Sequence, residues 1–247
     1  MSTAPPLIWV LVTVGIFAVL LATASALHSS ALAAGLGRRT ALRISIVFGL
    51  ICAAWAVTTG ELAAKHVYLL DSDAVKPWLG VGFLVPFAVL LVLSRVPVVA
   101  RALSHPAAQA QLIRLHRTRV MGVTFLIAMA MGELPPALAL PAAFGDIAVG
   151  LAASRVARGL GRGTGVRHAL WFNIFGLIDF VYAFAVTFLA GPGPTQLLHL
   201  TPSTQQMSVL PLVLIPTVGV PALFASHLIS LAKLRATSPA EAVPALA

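Results

Sequence analysis

The sequence predicts an all-α, polytopic integral membrane protein with seven transmembrane helices. Of its 247 residues, 59% are hydrophobic and only 9% are charged, whereas about a quarter of the residues in a soluble domain are charged. Apolar runs of about 20 residues, each long enough to cross a bilayer core of ~30 Å, recur along the chain. A transmembrane β-barrel would instead show shorter segments of alternating hydrophobicity, which the sequence lacks.

Seven apolar spans are expected, and short segments between them carry most of the charged residues. The first span is predicted to remain a membrane helix, because no positive charge precedes it and it exceeds the apolar region of a cleaved signal peptide; cleavage is the weaker alternative. Prolines between spans four and five leave a shallow or re-entrant hairpin open as an alternative. The spans cover residues 6–27, 44–64, 78–94, 120–140, 142–157, 168–190 and 208–231, and residues 236–247 are expected to form a disordered tail.

The distribution of basic residues predicts the orientation of these spans. The chain contains 16 Lys and Arg, and with the N-terminus outside all except Lys65 and Lys76 fall on the cytoplasmic side, as the positive-inside rule requires. We therefore expect a multi-pass protein of the cell membrane, assumed to be a bacterial-type inner membrane, with a cytoplasmic C-terminus. The net charge of +9 is then a topology signal, so no nucleic-acid partner is expected, and a homo-oligomer stays open.

Four of the seven acidic residues lie in or at the edge of a predicted span: Glu61, Glu133, Asp146 and Asp179. A charge in hydrocarbon is costly, so an acid kept there usually faces a packed interior or a watery cavity. If spans four and five turn at Pro141, Glu133 and Asp146 lie at a similar depth below the outer face. We expect them to form an outward-facing pocket, with Asp179 deeper and Glu61 joining from a parallel helix.

The chemistry of this pocket follows from the apparent lack of a countercharge. No Lys or Arg lies deep in any predicted span, so the four acids are candidates for binding a proton or a cation, or for acid catalysis. The alternative is that each carboxyl group is a hydrogen-bonded packing residue or reaches the membrane surface.

Four further residues are expected to line the pocket: Asn173, Tyr182, Phe172 and Thr217. Tyr182 follows Asp179 by three positions, which places both on one helical face. Asn173 is polar within an apolar helix, where such residues often join neighbouring helices. Thr217 lies among Pro211, Pro216 and Pro221, which predict a kinked or locally unwound last span.

Neither a cofactor nor a metal is predicted. The only cysteine excludes an intrachain disulfide and a cysteine metal cluster. None of the seven histidines forms an HxxxH or HExxH pattern, the spacing that places two metal ligands on one helical face. An external metal site of Glu61, His66 and His199, and a pair of haem-ligating histidines, stay open as weaker alternatives, and the cofactor is unknown.

In size, helix count and intramembrane acids the chain is similar to the small seven-helix membrane terpene cyclases. The Trp-Glu motif of that family has no counterpart, because Trp55 and Glu61 are six residues apart, so the resemblance covers architecture only. The favoured function is transport or binding of a proton, cation or small molecule. The alternatives are an enzyme that uses a buried acid on a lipophilic substrate such as an isoprenoid, and a receptor, sensor or assembly subunit.

Overall fold

The fold, a computed structural model described for residues 4–71 and 73–237, is all-helical and contains no strand within those residues. A 3-10 helix (Leu115–Gly122) connects α5 to α6, and a second 3-10 helix (Thr204–Ser208) and a π-helix (Ile215–Gly219) precede α9. The α-helices are α1 (Pro6–Ala33), α2 (Arg38–Ala64), α3 (Trp78–Ser94), α4 (Pro97–Ser104), α5 (Pro106–Arg114), α6 (Val123–Ala130), α7 (Pro136–Gly161), α8 (Val166–Leu189) and α9 (Val220–Thr237).

The helices support the prediction of a membrane protein but do not establish seven spans. Five segments are long and apolar enough to cross a bilayer, and α3 with α4, which are bent by 79° relative to each other, would make a sixth. The number seven and the orientation stay predictions. The five segments are Pro6–Ala33, Arg38–Ala64, Pro136–Gly161, Val166–Leu189 and Ile215–Ala236.

The last of these segments is the centre of the bundle. Two thirds (67%) of its most apolar window is buried, a larger share than in the other four. It packs against α3, α5 and α8, while α7 packs against α8 and the first 3-10 helix. The polar residues of these central helices are therefore enclosed by protein rather than by lipid.

The hairpin before α7 turns earlier than the sequence predicted. The chain reverses at residues 131–135, where Gly132 adopts a φ of +77°, and α7 begins at Pro136 and continues through Pro141. Proline is tolerated at the first position of a helix, where the missing N–H has no intrahelical partner. Asp146 consequently lies ten residues into α7, about 15 Å along its axis, and Glu133 lies in the turn.

The predicted fourth span, residues 120–140, also begins earlier in the structure. The run from Pro106 to Ala130 is continuously helical, because the 3-10 helix bridges α5 and α6 without a break. A 3-10 segment of eight residues is unusually long, and such segments within helices often mark functional sites. Arg119 therefore lies inside this helical run, within the bundle.

Two aromatic side chains satisfy backbone carbonyls that prolines leave without their helical partner. Pro141 has no N–H for the carbonyl of Ala137, four residues earlier, and the Tyr182 hydroxyl donates to that oxygen at 2.9 Å. Pro221 likewise leaves the carbonyl of Thr217 free, and the indole N–H of Trp55 donates to it at 2.7 Å. Because an unpaired carbonyl is costly in a membrane, these bonds let the helices keep their prolines.

We expect Trp55→Phe to lower the free energy of unfolding by about 1–3 kcal/mol, because it leaves the Thr217 carbonyl without a donor. The matched control is Trp171→Phe, since Trp171 is 58% exposed on α8 and should tolerate the change. Equilibrium unfolding of the detergent-solubilised protein measures both. Equal stabilities for the two variants would contradict this role of Trp55.

The predicted kink in the last span is confirmed by the π-helix at Ile215–Gly219. Of the predicted disordered tail, residues 236 and 237 continue α9, and residues 238–247 lie outside the described part of the chain.

Candidate functional site

A buried arginine at the centre of the bundle joins two of the four acids that the sequence predicted within the membrane. Arg119 Nε donates to Asp146 Oδ1 at 2.5 Å, and Arg119 Nη2 donates to Asp179 Oδ2. The arginine side chain is wholly buried, and the carboxylates are 15% and 8% exposed. The planar guanidinium offers N–H groups in several directions, so one arginine can hold two carboxylates at once.

The expectation that the intramembrane acids lack a countercharge is therefore wrong for Asp146 and Asp179. It failed because hydropathy placed the start of span four at Val120, which left Arg119 in the basic segment at the membrane surface, beside Arg114 and Arg117. A signal was nevertheless present in the sequence. Two acids within apolar helices require a partner. Arg119 directly precedes predicted span four, which is followed in the chain by the span that carries Asp146.

The remaining surface of the Arg119 side chain is also occupied. Its Nη1 donates to His227 Nε2 at 3.1 Å and to the carbonyl of Gly176 at 3.4 Å. Its Cζ lies 4.0 Å from the centroid of the Phe180 ring, an arrangement that stabilises a cation through the ring face. Five protein groups thus contact the guanidinium, and the Arg119 side chain has no exposed surface.

The hydrogen bonds determine the protonation of two stacked histidines. Because Arg119 only donates, His227 Nε2 accepts, and His227 Nδ1–H then donates to Asn173 Oδ1 at 2.8 Å. The ring of His116 stacks on that of His227, with centroids 3.8 Å apart. The Ser226 hydroxyl donates to the Leu223 carbonyl, so it accepts from His116 Nε2–H at 3.0 Å. His227 is therefore neutral, because its Nε2 carries no proton, and His116 Nδ1 has no hydrogen-bond partner among the described residues.

We call Arg119, Asp146, Asp179, His116 and His227 the central cluster. From His227 a chain of hydrogen bonds continues toward the Lys233 end of α9. Asn173 Nδ2 donates to Ser230 Oγ at 2.8 Å, and Gln109 Nε2 donates to the same oxygen at 2.7 Å. All three side chains are buried, so the cluster extends as a polar chain through otherwise apolar helices.

Glycines on α7 and α8 make room for the cluster. A Cβ atom at Gly145 would collide with the Asp179 carboxylate, and one at Gly176 would collide with the His227 ring and lie 2.9 Å from Arg119 Nη1. Small residues at helix interfaces permit close approach of membrane helices. Here the space that they leave is filled by charged and polar groups.

Two small cavities adjoin the carboxylates. One, of about 70 Å³, lies beside α1 and is lined by Arg119 and Asp146. The other, of about 40 Å³, is lined by Asp146, Asp179, Thr187 and Met207 and extends toward the connection between α8 and α9. Each has room for one to a few water molecules, given that a cavity needs roughly 10–15 Å³ of such volume per water. The acids therefore face spaces of the size of water, not of a large ligand.

The other sequence-predicted residues are divided between the cluster and the periphery. Phe172 and Asn173 contact His227 directly, the former with ring centroids 5.7 Å apart. Thr217 lies in the π-helix, and Tyr182 is 39% exposed on α8. No contact of either with the cluster is seen among the described residues. The two glutamates also lie elsewhere: Glu133 in the turn before α7 and Glu61 exposed near the end of α2.

The structure thus brings together Asp146 and Asp179, and not Glu133 and Asp146. Sequence reasoning missed Arg119, His116, His227 and Ser226, because each belongs to a helix whose rotation the sequence leaves open. Within residues 4–71 and 73–237, no three His, Cys, Asp or Glu side chains are grouped to hold a metal ion.

The comparisons with known proteins show the family to which the chain belongs but assign no function to it. Residues 76–235 match the family model described as a domain of unknown function, DUF8737. The chain belongs to this family. The matched region contains the whole central cluster, whereas α1 and α2 precede it. No curated protein and no solved structure matches the chain.

Proposed function

We propose that this member of the DUF8737 family binds a proton at the central cluster and passes it across the membrane, alone or coupled to a transported molecule. The observation that carries the proposal is one buried arginine shared by two buried carboxylates. With both carboxylates ionised, these three side chains have a net charge of −1. One added proton makes them neutral, so the cluster has two charge states that differ by a single proton.

The surroundings of the cluster allow it to reach both the ionised and the protonated state. An unbalanced charge in a low-dielectric interior is unfavourable by several kcal/mol, which favours proton uptake. The Arg119 contacts with both carboxylates favour the ionised form. Because these effects oppose each other, a proton can bind and leave without the loss of the whole network.

Polar groups extend from the cluster in two opposite directions, which supports passage of the proton. The cavity at Asp179 extends toward Thr187, near the end of α8. On the opposite side, the hydrogen bonds from His227 through Asn173 to Ser230 and Gln109 lead away from that cavity. Hydrogen-bonded side chains and waters can relay protons through membrane proteins, and ionisable groups within the membrane commonly mark such paths.

The proposal includes seven spans with the N-terminus outside. The run from Pro106 to Ala130 supplies the span that joins α3 to α7, since it is helical throughout. Its charged Arg119 is compatible with a span because protein, not lipid, surrounds it. At the proposed cytoplasmic end Lys233 donates to the carbonyls of Ser104 and His105, and at the outer end Gln205 donates to that of Leu70.

The geometry favours proton transfer over the alternatives. An enzyme that protonates an isoprenoid requires its acid to face a large apolar pocket, and ligand pockets commonly measure about 300–1,000 Å³. Asp146 and Asp179 instead adjoin cavities of about 70 and 40 Å³. A receptor or sensor role has no specific observation in its favour.

The experiment measures proton binding and proton passage separately. On lowering the pH, we expect difference infrared spectroscopy to show a protonated carboxyl band that Asp179→Asn removes or shifts. In liposomes that enclose a pH-sensitive dye, protein-dependent proton flux under an imposed gradient should fall to the protein-free level in the same variant.

The matched control is Glu133→Gln, which removes an acid in the turn before α7, outside the cluster, and should retain both signals. Proton flux that is unchanged in Asp179→Asn would overturn the proposed passage. A carboxyl band that depends on Glu133 and not on Asp179 or Asp146 would place the proton elsewhere.

A further inference from the structure

A large apolar space in the described bundle lies between α2 and α3, outside the central cluster. α2 packs against α1 and the π-helix, and α3 packs against α9 and the π-helix, but α2 and α3 hardly contact each other. Two adjoining cavities of about 340 and 330 Å³ occupy the gap. They share Ile51, Leu90 and Ala222 as lining residues and so form one cleft.

The cleft has a charged end. Arg43, near the start of α2, lines it together with Thr40 and with Ser94 at the end of α3. Arg43 is exposed, and no hydrogen bond or ion pair of its side chain is seen in the described part of the chain. Aliphatic and aromatic side chains dominate the rest of the wall. The cleft is therefore amphipathic, with one unpaired cation at its mouth.

The opposite end of the cleft is closed. The Tyr68 hydroxyl and the Thr59 hydroxyl are hydrogen-bonded at 2.7 Å, and a Cβ atom at Gly82 of α3 would lie 2.8 Å from the Tyr68 ring. Tyr68 thus fills the space between α2 and α3 beyond the cleft. The Arg43 end and the side that faces the membrane are therefore the two directions from which the cleft can be entered.

We propose that the cleft binds one acyl chain of an anionic phospholipid, whose phosphate group pairs with Arg43. Along α2, twelve residues separate Arg43 from Trp55, about 18 Å of helix, which is close to the ~15 Å hydrocarbon thickness of one leaflet. An acyl chain satisfies the apolar wall, and the negative headgroup satisfies the arginine. The cytoplasmic leaflet follows from the orientation proposed above, but the binding itself does not depend on the proton path.

The cleft also contacts the central cluster through one side chain. Ser226 lines the cleft and accepts a hydrogen bond from His116, whose ring stacks on that of His227. The bound chain therefore lies against a residue that holds the histidine pair in place. The wall formed by α2 precedes the region that the family model matches, so the complete cleft belongs to this chain rather than to the matched region alone.

The experiment uses phospholipids with a photoreactive group in one acyl chain, in nanodiscs that contain the full-length protein. We expect phosphatidylglycerol to label Ile51, Leu90 or Ala222 several-fold more than phosphatidylcholine does, as mapped by mass spectrometry. Ile51→Trp should abolish this labelling by filling the cleft, and Arg43→Gln should reduce the labelling by phosphatidylglycerol to that by phosphatidylcholine.

Two controls are matched to these variants. Leu50→Trp adds the same ring on the lipid-facing side of α2, where Leu50 is 65% exposed, and Arg39→Gln removes a neighbouring charge that does not line the cleft. Both should label as the wild type does. Val89→Trp, on the α3 wall, repeats the block if Ile51→Trp does not fold. Equal labelling by the two lipids, or labelling that survives both tryptophans, would mean ordinary boundary lipid and overturn the proposal.

Discussion

Replacing Arg119 by leucine is expected to destabilise the folded protein by about 3–5 kcal/mol, the usual result of removing one partner from a buried ion pair. The loss follows because Asp146 and Asp179 would remain buried without their shared cation. His227 Nε2 and the Gly176 carbonyl would also lose their donor. Equilibrium unfolding of the solubilised protein by a denaturing detergent measures the change.

Removal of the acids together with the arginine separates charge from packing. In the triple variant Arg119→Leu, Asp146→Asn, Asp179→Asn no ionised group remains, and we expect most of the lost stability to return, because the replacement of a whole buried ion cluster is often neutral or stabilising. Arg117→Leu, which changes an exposed arginine two positions away, should alter stability by less than about 0.5 kcal/mol. A triple variant no more stable than Arg119→Leu would show that the charges are not the cause.

Gly176→Ala is expected to cost about 1–3 kcal/mol, as an additional methyl group in a filled core typically does. Its Cβ would overlap the His227 ring, which is wholly buried and packed on His116. The ring must move, and the hydrogen bond from Arg119 Nη1 to His227 Nε2 must lengthen. The same unfolding measurement gives the loss in stability.

The control is another glycine in a helix. At Gly49 of α2 a Cβ atom would meet nothing within 4 Å, so Gly49→Ala should be neutral or stabilise by up to about 1 kcal/mol through the higher helix propensity of alanine. A Gly176→Ala variant as stable as Gly49→Ala would contradict the tight fit around His227. A His227→Asn, Gly176→Ala double variant tests the cause, because a smaller side chain should relieve part of the added loss.

The membrane class was predictable because it depends on composition and on the length of the apolar runs, and both can be read directly from the sequence. Asp146 and Asp179 were also found as intramembrane acids, since a carboxylate in an apolar run stands out. Their partner, Arg119, was not predicted, because tertiary contacts decide where a basic surface segment ends and a membrane span begins. Arg119 is tolerated in a helix only where two other helices provide its acids.

The hairpin shows the same limitation in another form. Pro141 was expected to end a helix, yet the helix continues because Tyr182, from α8, supplies the missing hydrogen bond. A membrane helix tolerates a proline where a neighbour replaces its missing donor, and a single sequence does not reveal which neighbour that is. The rotation of each helix, and so the pairing of Asp146 with Asp179 in place of Glu133, was hidden for this reason.

The bond from Trp55 to the Thr217 carbonyl has a consequence for how the molecule is assembled. Thr217 belongs to the region that the family model matches, while Trp55 comes from a helix that precedes it. A protein trimmed to residues 76–235 would expose that carbonyl to lipid and open the bundle along one side. The early helices are therefore part of the packed bundle, because α2 supplies a donor to a carbonyl of the segment that leads into α9.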